Sequence, residues 1–349
     1  VNILVRCDGD SEIGMGHIVR CLALADELQD VYGCHIVFAM RRGSLGIQMV
    51  EKKGYQVIKP DAEKIFDYGN WFNECVEKIN AKVIIFDARD ELSKTVLKEL
   101  RSRGILIITI DDPEDKRLEA DMAFYPPVPQ VKKMGWAGFT GELFAGWKWV
   151  ILRKEFSFAS SLESQILDSV LRTPKILVTM GGSDPQGMTI KAIKALEMIE
   201  ENFEAMVVLG AGFQNRKEID SLLSNCKHSF DICVNVQNMV RLMSQSDFAI
   251  ASFGVTAYEL AAMKVPAIYL CLTEDHAESA SAFTEAGMAV CLGLERMVAK
   301  KDIANAVKTA LQKFKNSKLR HNINTQLIDG QGIARISDLI IKRFEDKNG

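Results

Sequence analysis

The residues of this chain that could do chemistry gather where apolar runs give way to glycine. The first such place is Arg6-Cys-Asp8, at the end of an apolar run, followed by a loop and Ile13-Gly-Met-Gly-His17 at the head of a long helical-period stretch. Gly14 and Gly16 let the backbone turn tightly and approach a ligand, and the free N–H groups of a helix's first turn would point at it. His17 stands in that turn, where the helix dipole disfavours imidazolium, and a neutral imidazole can serve as a general base near neutral pH. Close helix–strand packing, with His17 as a cap, accounts for the same spacing equally well. A dinucleotide fingerprint does not, because Val19 stands where its third glycine would be.

Three further junctions have related chemistry. Val178-Thr-Met-Gly181-Gly182-Ser183-Asp184 has the composition of an anion-binding nest, with Ser183 or Asp184 able to cap the helix after it. By itself it also fits an ordinary strand-to-helix turn. Ser252-Phe-Gly254-Val255-Thr256 puts small residues and hydroxyls before a helix, which suits a diphosphate resting on backbone N–H groups. Glu259, one turn into that helix, could accept hydrogen bonds from vicinal sugar hydroxyls or simply favour the helix dipole. Asp275, His276 and Glu278 follow the next strand and would lie at the same sheet edge, as a loop able to reach a ligand. They could imitate a metal set, but their spacing fits a solvated charge run better, so no metal and no cofactor is expected.

These junctions require elements to hold them. Short β-type runs alternate with helical-period segments: Asn2–Arg6, Cys34–Met40, Tyr55–Ile58, Lys82–Asp87, Ile105–Asp111 and Met122–Tyr125, then Lys175–Met180, Ala205–Leu209, Phe230–Val234, Phe248–Ala251, Ala267–Leu272 and Met288–Leu292. In His17–Gln29, for instance, Ile18, Cys21, Leu22, Ala25 and Leu28 fall on one helix face. The alternation predicts an α/β chain of two similar domains, each with a parallel sheet covered on both faces. Pro126-Pro127-Val-Pro129, the Gly/Trp-rich Gly135–Trp149 segment and a polar stretch from Ser157 to Thr173 interrupt the rhythm. The expected boundaries are 1–155 for the first domain, 156–173 for a linker and 174–349 for the second domain, whose last helix opens at Asp329-Gly-Gln-Gly332. Two such domains in series predict a cleft, with ligands at the carboxyl ends of the strands.

Composition narrows the partners. The 349 residues carry a net charge of −3, spread evenly, which argues against nucleic acid or anionic lipid as a partner. No signal peptide or membrane span is expected. Eight cysteines form no CxxC pair and read as buried, reduced thiols of a cytoplasmic protein, with Cys7 the best candidate for a functional one.

Gly14-Met-Gly-His17-Ile-Val-Arg20, Met180-Gly-Gly-Ser-Asp184 and Ser252-Phe-Gly-Val-Thr-Ala-Tyr-Glu259 occur in this order along the chain. In this the chain resembles the PseG-type UDP-sugar hydrolases of the pseudaminic acid pathway and the SpsG-like spore-coat polysaccharide proteins. More remotely, it resembles the N-acetylglucosaminyltransferase that makes lipid II. The resemblance implies a glycosyltransferase-B architecture, an α/β fold of two Rossmann-like domains with parallel sheets and the site between them. It makes His17 the catalytic base of an inverting, metal-independent displacement. A UDP-sugar would be the substrate, with Arg6, Asp8, Gly14, Gly16, Asp275, His276 and Glu278 near the sugar. The nucleotide would rest on Gly181, Gly182, Ser183, Asp184, Ser252, Gly254, Val255 and Thr256, with Glu259 on the ribose. The chain departs from the family at Asp87-Ala-Arg89, where Asp-x-Tyr is usual, and at Asp275-His276, where Asn-Gln is usual. Both changes bear on the choice of sugar, and transfer to an acceptor other than water is the alternative activity.

Overall fold

Short, nearly continuous runs of branched and other apolar residues build the strands, and glycines mark where the chain must turn. A computed structural model describes residues 1–349 apart from 11–13, 62–65, 158–171, 211, 237 and 317–326. The first unit runs β1 (Asn2–Cys7), α1 (Gly16–Tyr32), β2 (His35–Ala39), α2 (Ser44–Lys52), β3 (Gln56–Ile58) and α3 (Tyr68–Lys78). It continues with β4 (Val83–Asp87), α4 (Lys94–Ser102), β5 (Leu106–Ile110), β6 (Met122–Tyr125) and β7 (Glu142–Ala145). Its parallel sheet has the order β3-β2-β1-β4-β5-β6-β7. Ile3, Val5 and Cys7 of β1, with Val83 and Ile85 of β4, point into one core with α1; Leu4, Ile84 and Phe86 point into the opposite core with α3 and α4. The period of two thus serves two buried faces, each large apolar side chain contributing about 1.5–3 kcal/mol on full burial.

The second unit comprises α5 (Lys154–Ser157), β8 (Lys175–Thr179), α6 (Met188–Leu196), β9 (Glu204–Leu209), α7 (Arg216–Leu223), β10 (Phe230–Val234) and α8 (Met239–Ser244). After these come β11 (Phe248–Ser252), α9 (Val255–Ala262), β12 (Ala267–Cys271), α10 (Glu274–Glu285), β13 (Ala289–Leu294) and α11 (Lys300–Lys315). Its sheet, also parallel, has the order β10-β9-β8-β11-β12-β13. In each sheet the strand order reverses once, between β1 and β4 and between β8 and β11. At such a point in an α/β sheet the loops leaving the carboxyl ends part to opposite faces, which is where ligands of these folds bind.

Three expectations need correction. Residues 331–349 group with the first unit, not the second, and the chain divides between Arg153 and Lys154. The terminal helix α12 (Gly332–Asn348) buries Ile333, Ile336 and Ile340 in the first core, where a Cβ on Gly332 would lie 2.1 Å from the Val150 carbonyl oxygen. Only glycine lets the backbones touch there. Most of the expected linker, 156–173, lies outside the described residues. The Gly/Trp-rich segment holds strand β7, a four-residue, largely exposed edge whose alternation is too short to read. Finally, Asp275, His276 and Glu278 stand in the first turns of α10 rather than in a loop, because the Thr273 side chain accepts the His276 N–H and caps the helix.

Candidate functional site

The first unit concentrates charge at its switch point. Helix α1 has no side-chain cap, so the amides of its first turn, including those of Gly16 and His17, lack one. It ends at Gly33, whose left-handed φ of 64° lets the N–H groups of Gly33 and Cys34 close on Gln29 and Leu28. His17 and Arg20, three residues apart, share a face of α1 and meet the carboxylate of Asp87 at the end of β4. His17 Nδ1 lies 2.6 Å from Asp87 Oδ1, and Arg20 donates from Nε to Oδ2 and from Nη2 to Oδ1, each at 2.5 Å. Cys21 adds a weak Sγ–H donor at 3.4 Å.

Asp87 is wholly buried, whereas the His17 side chain keeps 22% of its surface exposed. Burial alone would push the Asp87 carboxyl up, but the Arg20 guanidinium and then His17 hold it well below the usual carboxylate range. An ionised carboxylate only accepts, so the hydrogen of this contact sits on Nδ1, and in the neutral ring the lone pair is then on Nε2. This is the geometry of an oriented general base.

A second network lies beside the first. Arg6 is fully buried, donating Nε to Tyr68 at 2.7 Å, Nη1 to the carbonyls of Cys7 and Ala39, and Nη2 to Asp8 at 2.6 Å. Asp8 also accepts the backbone N–H groups of Arg41 and Arg42, at 2.8 and 3.2 Å. Asp90 pairs with Arg6 at 3.0 Å and with the buried Lys116 at 3.6 Å, and Lys116 lies 3.4 Å from Asp112. Arg6 and Asp8 therefore brace the loops after β1 and β2, and Arg6, its donors all engaged, has none left for the sugar it was expected to contact. Cys7, expected as a candidate thiol, is sealed in the core. Gly14, with φ of 84°, carries the loop into α1.

The second unit's edge is built from backbone instead. Gly181 has φ of 77°, and a Cβ there would lie 3.6 Å from Ser252 Oγ, so the loop after β8 runs beside the end of β11. Gly182 is held from behind: its carbonyl accepts the Gly212 N–H at 2.9 Å, and a Cβ on Gly210 would sit 2.3 Å from that oxygen. Asp184 turns inward, its two oxygens accepting the N–H groups of Met188 and Thr189 at 2.8 Å each. Asp184 is thus the cap that the sequence offered for this helix, and Ser183 stands beside it next to the Gly181-Gly182 turn. Gly254 precedes α9 without a side-chain cap, leaving the first amides of Val255 and Thr256 for an anion. Glu259 is buried one turn further on, and the rings of Phe253 and His276 approach to 6.0 Å between centroids, which brings the start of α10 to the same edge.

Sequence reasoning named His17 but placed Asp87 only in a loop bearing on the choice of sugar and Arg20 only within a motif, and paired neither with the histidine. Their signals were present: an acidic residue ending a buried strand and a basic residue one turn after the histidine. No group of three or more His, Cys, Asp and Glu among the described residues is placed to hold a metal ion, nor is any described helix long and apolar enough to cross a membrane.

No family model matches the chain. An uncharacterised protein of Methanocaldococcus jannaschii is 29% identical over 280 residues, 78% of this chain but 56% of that protein. The Bacillus subtilis spore coat polysaccharide biosynthesis protein SpsG is 23% identical over 99% of this chain and all of its own length. The UDP-2,4-diacetamido-2,4,6-trideoxy-beta-L-altropyranose hydrolase of Campylobacter jejuni is 21% identical over 83% of this chain and 98% of its own. Among solved structures, Acinetobacter baumannii MurG superposes with a TM-score of 0.72 at 14% identity, covering 98% of this chain and 99% of its own. The Neisseria meningitidis UDP-GlcNAc 2-epimerase bound to UDP-GlcNAc gives 0.64 at 13% identity, covering 98% and 100%. The chain thus has the two-domain glycosyltransferase-B fold and, in sequence, resembles the SpsG-type spore coat polysaccharide proteins and the PseG-type hydrolases.

Proposed function

We propose that this chain is a UDP-sugar hydrolase serving surface-polysaccharide or nonulosonic acid biosynthesis. The carrying observation is the bond from His17 Nδ1–H to the buried Asp87 carboxylate, which leaves Nε2 as a base on a partly exposed ring. In the reaction Nε2 takes a proton from water as the water oxygen bonds to the anomeric carbon. The bond from that carbon to the phosphate oxygen breaks, and its electron pair leaves on UDP. Attack opposite the leaving group inverts the anomeric centre. The amides around Gly181, Gly182, Val255 and Thr256 take the diphosphate charge, and Glu259 takes the ribose hydroxyls. The activity for which the Campylobacter relative is named and the UDP-GlcNAc bound to the Neisseria structure support this assignment.

A second reading, transfer of the sugar to an acceptor hydroxyl deprotonated by the same Nε2, is favoured by the likeness in fold to a glycosyltransferase from Rickettsia africae. A panel of UDP-sugars, scored for UDP and free sugar with and without acceptor alcohols, separates them. Equal release of UDP and sugar without acceptor, undiminished by EDTA, is the expected result. Release only with an acceptor selects transfer, and no release under either condition rejects both.

A further inference from the structure

A buried carboxylate beside a lone imidazole favours the imidazolium, since the ion pair is then neutral and no buried charge is left uncompensated. A protonated ring has no lone pair and cannot accept a proton from water. In this chain a second cation occupies the same carboxylate. Arg20 reaches both Asp87 oxygens at 2.5 Å, and its Nη2 stands 3.1 Å from His17 Nδ1. Asp87 is thereby neutralised without the ring, and an imidazolium would face a guanidinium at contact distance.

We propose that Arg20 is a positioning residue that keeps His17 uncharged, so that Asp87 orients the ring without protonating it. The inference rests on the reading of His17 as the base. The other groups facing the pair agree with it. From α1, Cys21 meets Asp87, and burial pushes this thiol well above its ordinary range, so it stays neutral; Cys7 of β1 lies against it. After β5, Asp111 accepts from Arg20 Nη1 at 3.2 Å and lies 4.0 Å from Arg89, in the loop after β4. Two cations (Arg20, Arg89) and two anions (Asp87, Asp111) balance around a neutral ring. Replacing Arg20 leaves one excess negative charge, which a proton on His17 would cancel.

The test is a proton NMR titration of the five histidine rings, with His17 assigned by its loss in His17→Gln. In Arg20→Gln the His17 midpoint is expected to rise by about one pH unit, a tenfold change in proton affinity, and Arg20→Lys is expected to restore at least half of the difference. Asp111→Asn removes an anion instead and is expected to shift the midpoint the opposite way. It keeps the idea falsifiable if Arg20→Gln does not fold. In turnover, the acid limb of the kcat–pH profile of Arg20→Gln should move up with the midpoint while KM stays constant. An unmoved or lowered midpoint in folded Arg20→Gln, or a raised one in Asp111→Asn, overturns the proposal. A wild-type chain that releases no UDP from any UDP-sugar rejects the hydrolase reading instead, and the titration still decides the role of Arg20.

Discussion

The two sheets share a strand order and differ at their carboxyl edges. The first edge is crowded with side-chain charge: His17, Arg20, Asp87 and Asp111 in one cluster, Arg6, Asp8, Asp90, Lys116 and Asp112 in another. The second offers glycine turns and an uncapped helix start, and turns its most prominent carboxylate, Asp184, inward as a cap. Proton transfer needs a group whose charge can change at a fixed place, so it needs side chains and a buried frame to hold them. Holding a diphosphate needs several donors of fixed geometry, which backbone amides supply without a side chain to order. One fold, used twice, is thus finished in two different ways.

The proposed division of labour is open to attack from both sides. The largest effect is expected at His17: His17→Ala should lower kcat by roughly 10²–10⁴-fold, the usual size of general-base catalysis, while calorimetry shows UDP binding unchanged. Equal loss of both would make the histidine structural. Next is the backbone edge. Gly210→Ala places a Cβ against the Gly182 carbonyl and should displace the turn, weakening UDP by about ten- to a hundredfold, the cost of one or two charge-assisted hydrogen bonds. Its kcat at saturation should hold, and a variant that binds UDP normally would remove the Gly181-Gly182 turn from the nucleotide site.

The smallest effect tests the buried frame of the first edge. Burial pushes the Asp112 carboxyl up to about 6 against the pull of Lys116, and its Oδ2 finds no hydrogen-bond partner among the described residues. Because the folded state holds this proton more tightly than the unfolded chain, whose carboxyl titrates near 3.8, stability falls as pH rises from about 4 to 6. Relative to Asp112→Asn, the wild type should lose about 2 kcal/mol across that window. Denaturant curves at pH 4.5 and 7 measure it, and equal differences at the two values would show that Asp112 is not held under strain.

The sequence by itself determined the strands and their two-sided burial, because short, nearly continuous apolar runs between glycine turns are a local pattern that tertiary structure only has to satisfy. It located His17, the Gly181-Gly182 turn and the start of α9 for the same reason, each being a strand-to-helix junction a few residues long. It could not pair His17 with Asp87, 70 residues on, nor show that Arg6 and Asp184 are consumed inside the fold, because their partners are set by which strands become neighbours. Nor could it return α12 to the first sheet, since an amphipathic helix states that it needs an apolar face and not which one. The tertiary structure decided these matters by bringing the ends of β1 and β4 side by side, where a buried carboxylate must find its cations nearby.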